Sequence, residues 1–184
     1  MPKNSIDIII TDPPYPIEHI DCWDKLGRIS ERVLKPSGFL IAYSGHIHLN
    51  KVLAILDGYL QYFWQFILLH TGHSQLVLAR NTIATYKPLL IYQKPPYKKL
   101  KSPLKDCITG TGREKESHSW QQSEYEMCHI IREFTVEGDT ILDPFMGSGT
   151  TGGAARDMRR DIIGIEINPD YCKIAEERLA QGVL

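Results

Sequence analysis

The sequence lacks the features that would place it in several large protein classes. No run approaches the roughly 18 uninterrupted apolar residues that a membrane span requires, so no membrane partner is expected. The opening Met1-Pro2-Lys3-Asn4-Ser5 has no basic segment followed by an apolar one; a secretory leader is not indicated and a cytoplasmic location is expected. Four cysteines (Cys22, Cys107, Cys128 and Cys172) lie far apart without a Cys-x-x-Cys pair, the pattern of a reduced intracellular protein with unpaired thiols. There is no internal repeat. Charge of either sign is not in excess: the net value is -1, which taken alone argues against a nucleic-acid binder.

What is present is a chain of 184 residues, 42% hydrophobic and 23% charged, enough for one α/β domain spanning 1–184 and too short for two. The charge is unevenly laid out. Residues 80–118 carry nine basic side chains against three acidic ones (Asp106, Glu114 and Glu116). Such a distribution can make one face electropositive while the total stays near zero.

Short apolar segments alternate with helical patterns. Ser5 to Thr11 reads as a buried strand, closed by Asp12-Pro13-Pro14-Tyr15, because two prolines cannot extend a central strand. Lys25 to Leu34 has helical spacing, Phe39 to Tyr43 is a strand, and a helix runs from about Leu49 to Leu60. Phe63–Leu69 and Pro88–Tyr92 are strands. Within the first of these, Trp64 and Phe66 read as core, and Tyr59 and Tyr62 as cover for an edge. Residues 95–121 are polar and basic, without period, and read as a long loop or small insertion. Tyr125 to Phe134 is helical, Asp139–Leu142 a strand, Thr150–Met158 a helix, Ile162–Ile165 a strand, and Asp170–Leu179 a last helix. The fold class is therefore doubly wound α/β with a mostly parallel sheet, whose ligands gather at the carboxyl ends of the strands.

Two of those strand ends carry chemistry. Asp143-Pro144-Phe145-Met146-Gly147-Ser148-Gly149-Thr150-Thr151-Gly152 follows a strand and opens a helix, and its glycines let backbone amides approach a ligand. Glu166, at the end of the next strand, can accept both hydroxyl protons of a ribose. A nucleoside-containing cofactor follows. NAD competes, but Asp143 directs negative charge to where a pyrophosphate would lie, and no substrate domain follows; an ammonium and a sulfonium suit that carboxylate better. At the other end of the chain, Asp12 and the Pro13 carbonyl offer two acceptors, as an exocyclic –NH2 requires, and the Tyr15 ring can stack on a base. Without a Pro-Cys pair, no cysteine attack on a pyrimidine ring is suggested. His46, His48, His70 and His73 lie on separate elements without a partner at ligand spacing, so no metal is expected.

Taken together, Asp12-Pro13-Pro14-Tyr15, the Asp143 to Thr151 segment and Gly164-Ile165-Glu166-Ile167-Asn168-Pro169-Asp170-Tyr171 resemble the permuted amino-methyltransferases of restriction–modification systems, phages and bacterial epigenetic marking, in which the catalytic motif precedes the cofactor motif. The likeness also takes in Leu34-Lys35-Pro36-Ser37-Gly38 and His118-x-Trp120-Gln121. It implies a Rossmann-like S-adenosylmethionine-dependent methyltransferase fold and methylation of double-stranded DNA on adenine N6, with cytosine N4 and a non-catalytic DNA-binding remnant as alternatives. By the same resemblance Asp12, Pro13, Pro14 and Tyr15 hold and activate a flipped base. Asp143, Phe145, Gly147, Gly149, Thr150, Glu166 and His118 surround S-adenosylmethionine. Lys98, Lys99, Lys101 and Lys105 meet DNA phosphates from a reduced target-recognition insertion at 95–121. The chain departs from the family where Gln122 and Ser123 replace a frequent lysine and proline. Only Met1 to Asn4 precede the first strand, where relatives place an acidic residue on the cofactor's adenine; a pocket open on that side, one filled by a partner, or a fragment or weakened remnant of the family is implied. Whether two chains assemble as a homodimer is left open.

Overall fold

The computed structural model describes residues 1–70, 75–110 and 124–180. Its elements are β1 (Ile6–Thr11), α1 (Asp21–Val33), β2 (Leu34–Tyr43), α2 (Leu49–Leu56), β3 (Gln61–Leu69), β4 (Gln75–Val77), β5 (Thr82–Ala84), β6 (Tyr86–Gln93), β7 (Cys107–Thr109), α3 (Glu124–Phe134), β8 (Thr140–Asp143), α4 (Thr150–Asp157), β9 (Asp161–Gly164) and α5 (Pro169–Ala180). Seven strands form one sheet in the order β7-β3-β6-β2-β1-β8-β9, and only β6 runs against the rest.

The central strands of the sheet are buried on both faces, which explains why β1 reads as an unbroken apolar run rather than an alternating one. From Ile8 on, successive residues serve opposite layers, and the irregularity between Ile6 and Ile8 brings Ile6 into the same layer as Ile9. Ile6 and Ile9 pack with Trp23, Leu26 and Val33 of α1 and Val52 and Leu56 of α2. Ile8 and Ile10 pack with Met127, Ile130 and Ile131 of α3 and Ala154 and Ala155 of α4. The chain winds outward in both directions from the centre: β1 leads through α1 to β2, and β8 leads through α4 to β9. Because the two crossover helices cover opposite faces, a crevice is left at the carboxyl ends of β1 and β8, the switch point at which such sheets bind ligands.

The periodic elements appear where the sequence indicates, with ends moved by a few residues. Three short strands were not expected. β7 lies inside the 95–121 segment, which is therefore not all loop; Ile67, Leu68 and Leu69 pair with Cys107, Ile108 and Thr109. β4 and β5 form a separate hairpin. Trp64 is also not a core residue: it is half exposed, and its indole N–H donates to Asp106 at 2.9 Å. Phe66 is core as expected, 2% exposed. Cys22, Cys107, Cys128 and Cys172 are unpaired. Among the described residues no helix is long and apolar enough to cross a membrane.

Candidate active site

The tips of β1 and β8 are neighbours. Ile8 and Ile9 pair with Ile141 and Leu142, so Thr11 and Asp143 emerge side by side. The Thr11 hydroxyl donates to Asp143 Oδ1 at 2.8 Å across 132 residues of sequence, beneath the surface. Asp12, the next residue, thus stands beside the loop that Asp143 opens. The two motifs share one crevice.

Asp143 is 3% exposed. It accepts from Thr11, from the Phe145 N–H at 3.1 Å and from the Thr151 hydroxyl, all of them neutral donors. Burial pushes its carboxyl up to about 6; these hydrogen bonds pull it down by less, and the charge of Asp12 adds to the rise. A buried carboxylate held by neutral groups has the chemistry to receive a cationic ligand.

Beyond it, the chain turns through Gly147 (φ +53°) and Gly149 (φ +82°), left-handed positions that favour glycine. A Cβ on Gly147 would project into open space, whereas one on Gly149 would press on Ala175 of α5 at 3.0 Å. The first glycine therefore leaves a cradle free, and the second lets α5 close on the turn. Glu166 braces this loop: its carboxylate accepts from the Gly147 N–H at 2.8 Å and the Asn168 N–H at 2.8 Å. Each carboxylate oxygen retains a lone pair for a further donor. An apolar cleft of about 340 Å³, lined by Cys22, Leu26, Ile29, Pro144 and Phe145, opens beside the turn. The donor set and the open cradle fit a cationic nucleoside. The Thr150 hydroxyl accepts from Arg178 of α5 at 3.1 Å, while Thr151, one residue further round the helix, donates to the Asp143 carboxylate. His118 and the rest of the His118 to Gln121 motif lie outside the described residues.

At the β1 tip, Pro13 is buried, Pro14 half-buried, and Asp12 is held from two sides. The Tyr15 hydroxyl donates to Asp12 Oδ1, and Lys87 Nζ lies 2.9 Å from Oδ2. Lys87 was counted in the sequence only as part of a basic segment. It is a site residue because β6 runs antiparallel to β2, which brings the start of β6 to the carboxyl edge; Tyr43, at the end of β2, pairs with Leu89. The ammonium lies 4.5 Å from the centre of the Tyr43 ring and 5.2 Å from that of Tyr15, over faces that attract a cation. Burial, followed by the charge of Asp12, holds the Tyr15 phenol well above its ordinary range. Gly45 makes room for that ring, since a Cβ there would come within 3.1 Å of Tyr15. His46 and His70 also gather here. His46 Nε2 pairs with the Tyr86 carbonyl at 2.9 Å, and burial, then the charges of Lys87 and His46, lower the pKa of His70. These two histidines were expected on separate elements, and the fold brings them to one edge. Among the described residues, no three His, Cys, Asp or Glu side chains converge to hold a metal.

The four lysines of the basic segment are not at this edge. Lys98 is tied by its backbone to Gln93, whose amide donates to the Lys98 carbonyl at 3.1 Å and whose carbonyl oxygen accepts the Lys98 N–H at 2.9 Å. Gln93 ends β6, six strand residues beyond Lys87, or about 20 Å away. Lys99 and Lys101 line a groove of about 540 Å³ with Trp64 and Leu104 along the outer flank of β3. Lys105 precedes β7 on the same flank.

A doubly wound sheet whose switch point joins a buried acid and glycine turn to a paired-acceptor tip defines a nucleoside-dependent group transferase. The pattern of the DNA methylase family that acts on N6 or N4 amines matches residues 6–177, and the chain belongs to that family. It is 30% identical to the type II methyltransferase M2.DpnII of Streptococcus pneumoniae over 97% of this chain and 84% of that one. The crystal structure of the M1.HpyAVI–SAM complex superposes with a TM-score of 0.77 at 25% identity, covering 95% of this chain and 90% of that chain. The PvuII cytosine-N4-specific DNA methyltransferase shares the fold, with a TM-score of 0.84 at 19% identity over the whole of this chain and 83% of its own. The protein is thus an S-adenosylmethionine-dependent DNA methyltransferase with the permuted motif order, and double-stranded DNA is its substrate.

Proposed function

We propose that this chain methylates N6 of an adenine turned out of double-stranded DNA. The observation that carries the reading is the Thr11–Asp143 hydrogen bond, which sets the acceptor tip at Asp12 next to the cofactor turn. Asp143, with Phe145, Gly147, Gly149 and Glu166, would hold S-adenosylmethionine: Asp143 facing its cationic end, Glu166 its ribose. Bound there, the cofactor supplies an electrophilic methyl group on sulfur. The flipped base enters beside Tyr15. Its amine donates one proton to Asp12 and the other to the Pro13 carbonyl, which turns the nitrogen lone pair out of the ring plane. Lys87 yields Oδ2 to the amine and rests over the Tyr43 and Tyr15 rings. The carboxylate would then disperse the positive charge that grows on nitrogen as the N–C bond forms and the methyl–sulfur bond breaks, the electron pair staying on a neutral thioether, and one amine proton would leave to water. Alignment and preorganised charge supply most of the rate.

In this reading the duplex lies across the carboxyl edge, where Arg80 and Lys87 stand. Lys101 and Lys105 serve DNA that continues down the β3–β7 flank, and Lys98 and Lys99 act only at its far end. The test is mass analysis of nucleosides from DNA incubated with the protein and S-adenosylmethionine. N6-methyladenine is the expected product; N4-methylcytosine would move the target to the other amine, and unmodified DNA despite cofactor binding would leave a non-catalytic DNA binder.

A further inference from the structure

The β4–β5 hairpin leaves the sheet at the carboxyl edge that carries the Asp12 tip, and the connection is short. His70 N–H donates to the Thr85 carbonyl at 2.9 Å, one step above the last β3–β6 rung, Leu69 with Tyr86. Two residues past Thr85 is Lys87, on Asp12. The hairpin therefore rises from the same carboxyl edge that presents the paired acceptors.

Its surface is unusual. Leu76 and Ile83, paired across the two strands, are 51% and 62% exposed, and Leu78 at the tip is 83% exposed. Arg80 and Asn81 follow that leucine two and three positions on, both exposed, with Asn81 in the left-handed region (φ +47°) that closes the turn. No Asp or Glu occurs anywhere from Gly58 through Lys105, a stretch that holds seven lysines and arginines. An apolar tip on an acid-free, basic stretch is complementary to one polymer in particular, a stacked polyanion. The stem fits as well: three strand residues extend about 10 Å, and the DNA grooves are about 7.5–8.5 Å deep.

We infer that this hairpin enters the duplex at the target, with Leu78 wedged into the stack in place of the departing base and Arg80 on the neighbouring phosphates. Apolar side chains inserted between base steps unstack them in this way. The inference rests on the proposed function, since it needs a base to be turned out.

The experiment compares the wild type with Leu78→Ser on two oligonucleotide duplexes carrying the methylated site, one fully paired and one mismatched at the target base. Leu78→Ser should methylate the paired duplex at least tenfold more slowly and the mismatched one, already loosened, within about twofold of wild type. Unchanged S-adenosylmethionine affinity would show that the exposed tip is not needed for folding. Equal activity of variant and wild type on the paired duplex would overturn the inference, as would equal loss on both duplexes. Failure of the functional reading looks different: the wild type itself would then yield no methylated base on either duplex.

Discussion

Asp143 offers the sharpest physical test. Its carboxyl is raised from 3.8 to about 6 by burial, and at about 1.4 kcal/mol per pH unit this corresponds to a cost of about 3 kcal/mol for keeping it ionised in the ligand-free fold. The sign follows from proton binding. Between pH 3.8 and about 6 the folded protein binds more protons than the unfolded one, so this group's contribution to stability falls as pH rises through that window and is flat above it. Asp143→Asn keeps the shape and removes the titration. Urea denaturation of the two proteins at pH 7 and at pH 4.5 should show the wild type gaining about 2 kcal/mol on the variant as the pH drops. At neutral pH the variant should be the more stable protein unless lost hydrogen bonds to Thr11 and Thr151 offset the gain. Cofactor binding should report the same group in the opposite sense: a cation favours the ionised form, so affinity should weaken by up to tenfold per pH unit below about 6, and calorimetry near that pH should detect a released proton. Parallel pH profiles of stability for the two proteins would refute the reasoning.

Asp12→Asn should lower the methylation rate by about two to three orders of magnitude while S-adenosylmethionine affinity, measured by calorimetry, stays near wild type. Gly147→Ala and Glu166→Gln should do the reverse, weakening cofactor binding about tenfold and leaving single-turnover rates at saturating cofactor within a few-fold. Thr11→Val removes a buried hydroxyl from a carboxylate and should cost about 1.5–3 kcal/mol of stability by urea melting; with less support for the charge, the pH midpoint of cofactor binding should also move up. Lys87→Met separates an ion pair whose side chains are 22% and 33% exposed. Denaturation should show a loss of no more than about 1 kcal/mol, while kcat falls because Asp12 loses the restraint from Lys87; an unchanged kcat would mean that this ion pair does not position the carboxylate.

Much of this fold was legible before any coordinates, for local reasons. Ile6 to Thr11 had to be a strand that ends at Asp12, because prolines there cannot continue a ladder. The turn from Asp143 into α4 was readable because it needs glycine at two left-handed positions. Three-residue strands such as β4, β5 and β7 escaped because periodicity needs a longer window than they occupy. Lys87 escaped because a lone lysine in a strand has no signature. Its role comes from β6 running antiparallel to its neighbours, which is decided by long-range pairing. For Trp64, hydrophobicity predicted burial, but it sits on an outward face near the sheet edge where an indole N–H can reach Asp106. Thr150 and Thr151 were separable only by helix phase, since residues 100° apart on α4 face different partners.

By itself, the order of residues determined which segments are strands, where their tips carry acids and glycines, and thus which two chemistries the chain possesses. It could not bring them together: Thr11 and Asp143 are 132 positions apart, and no local rule couples them. Only the sheet order, with β1 and β8 adjacent and parallel at the switch point, put the Asp12 tip and the Asp143 glycine turn in one crevice, while the antiparallel return of β6 added Lys87 and sent Lys98 to the opposite rim. Strand pairing settles such distances because it is the burial of both faces of the sheet, a property of the whole chain, that selects the order.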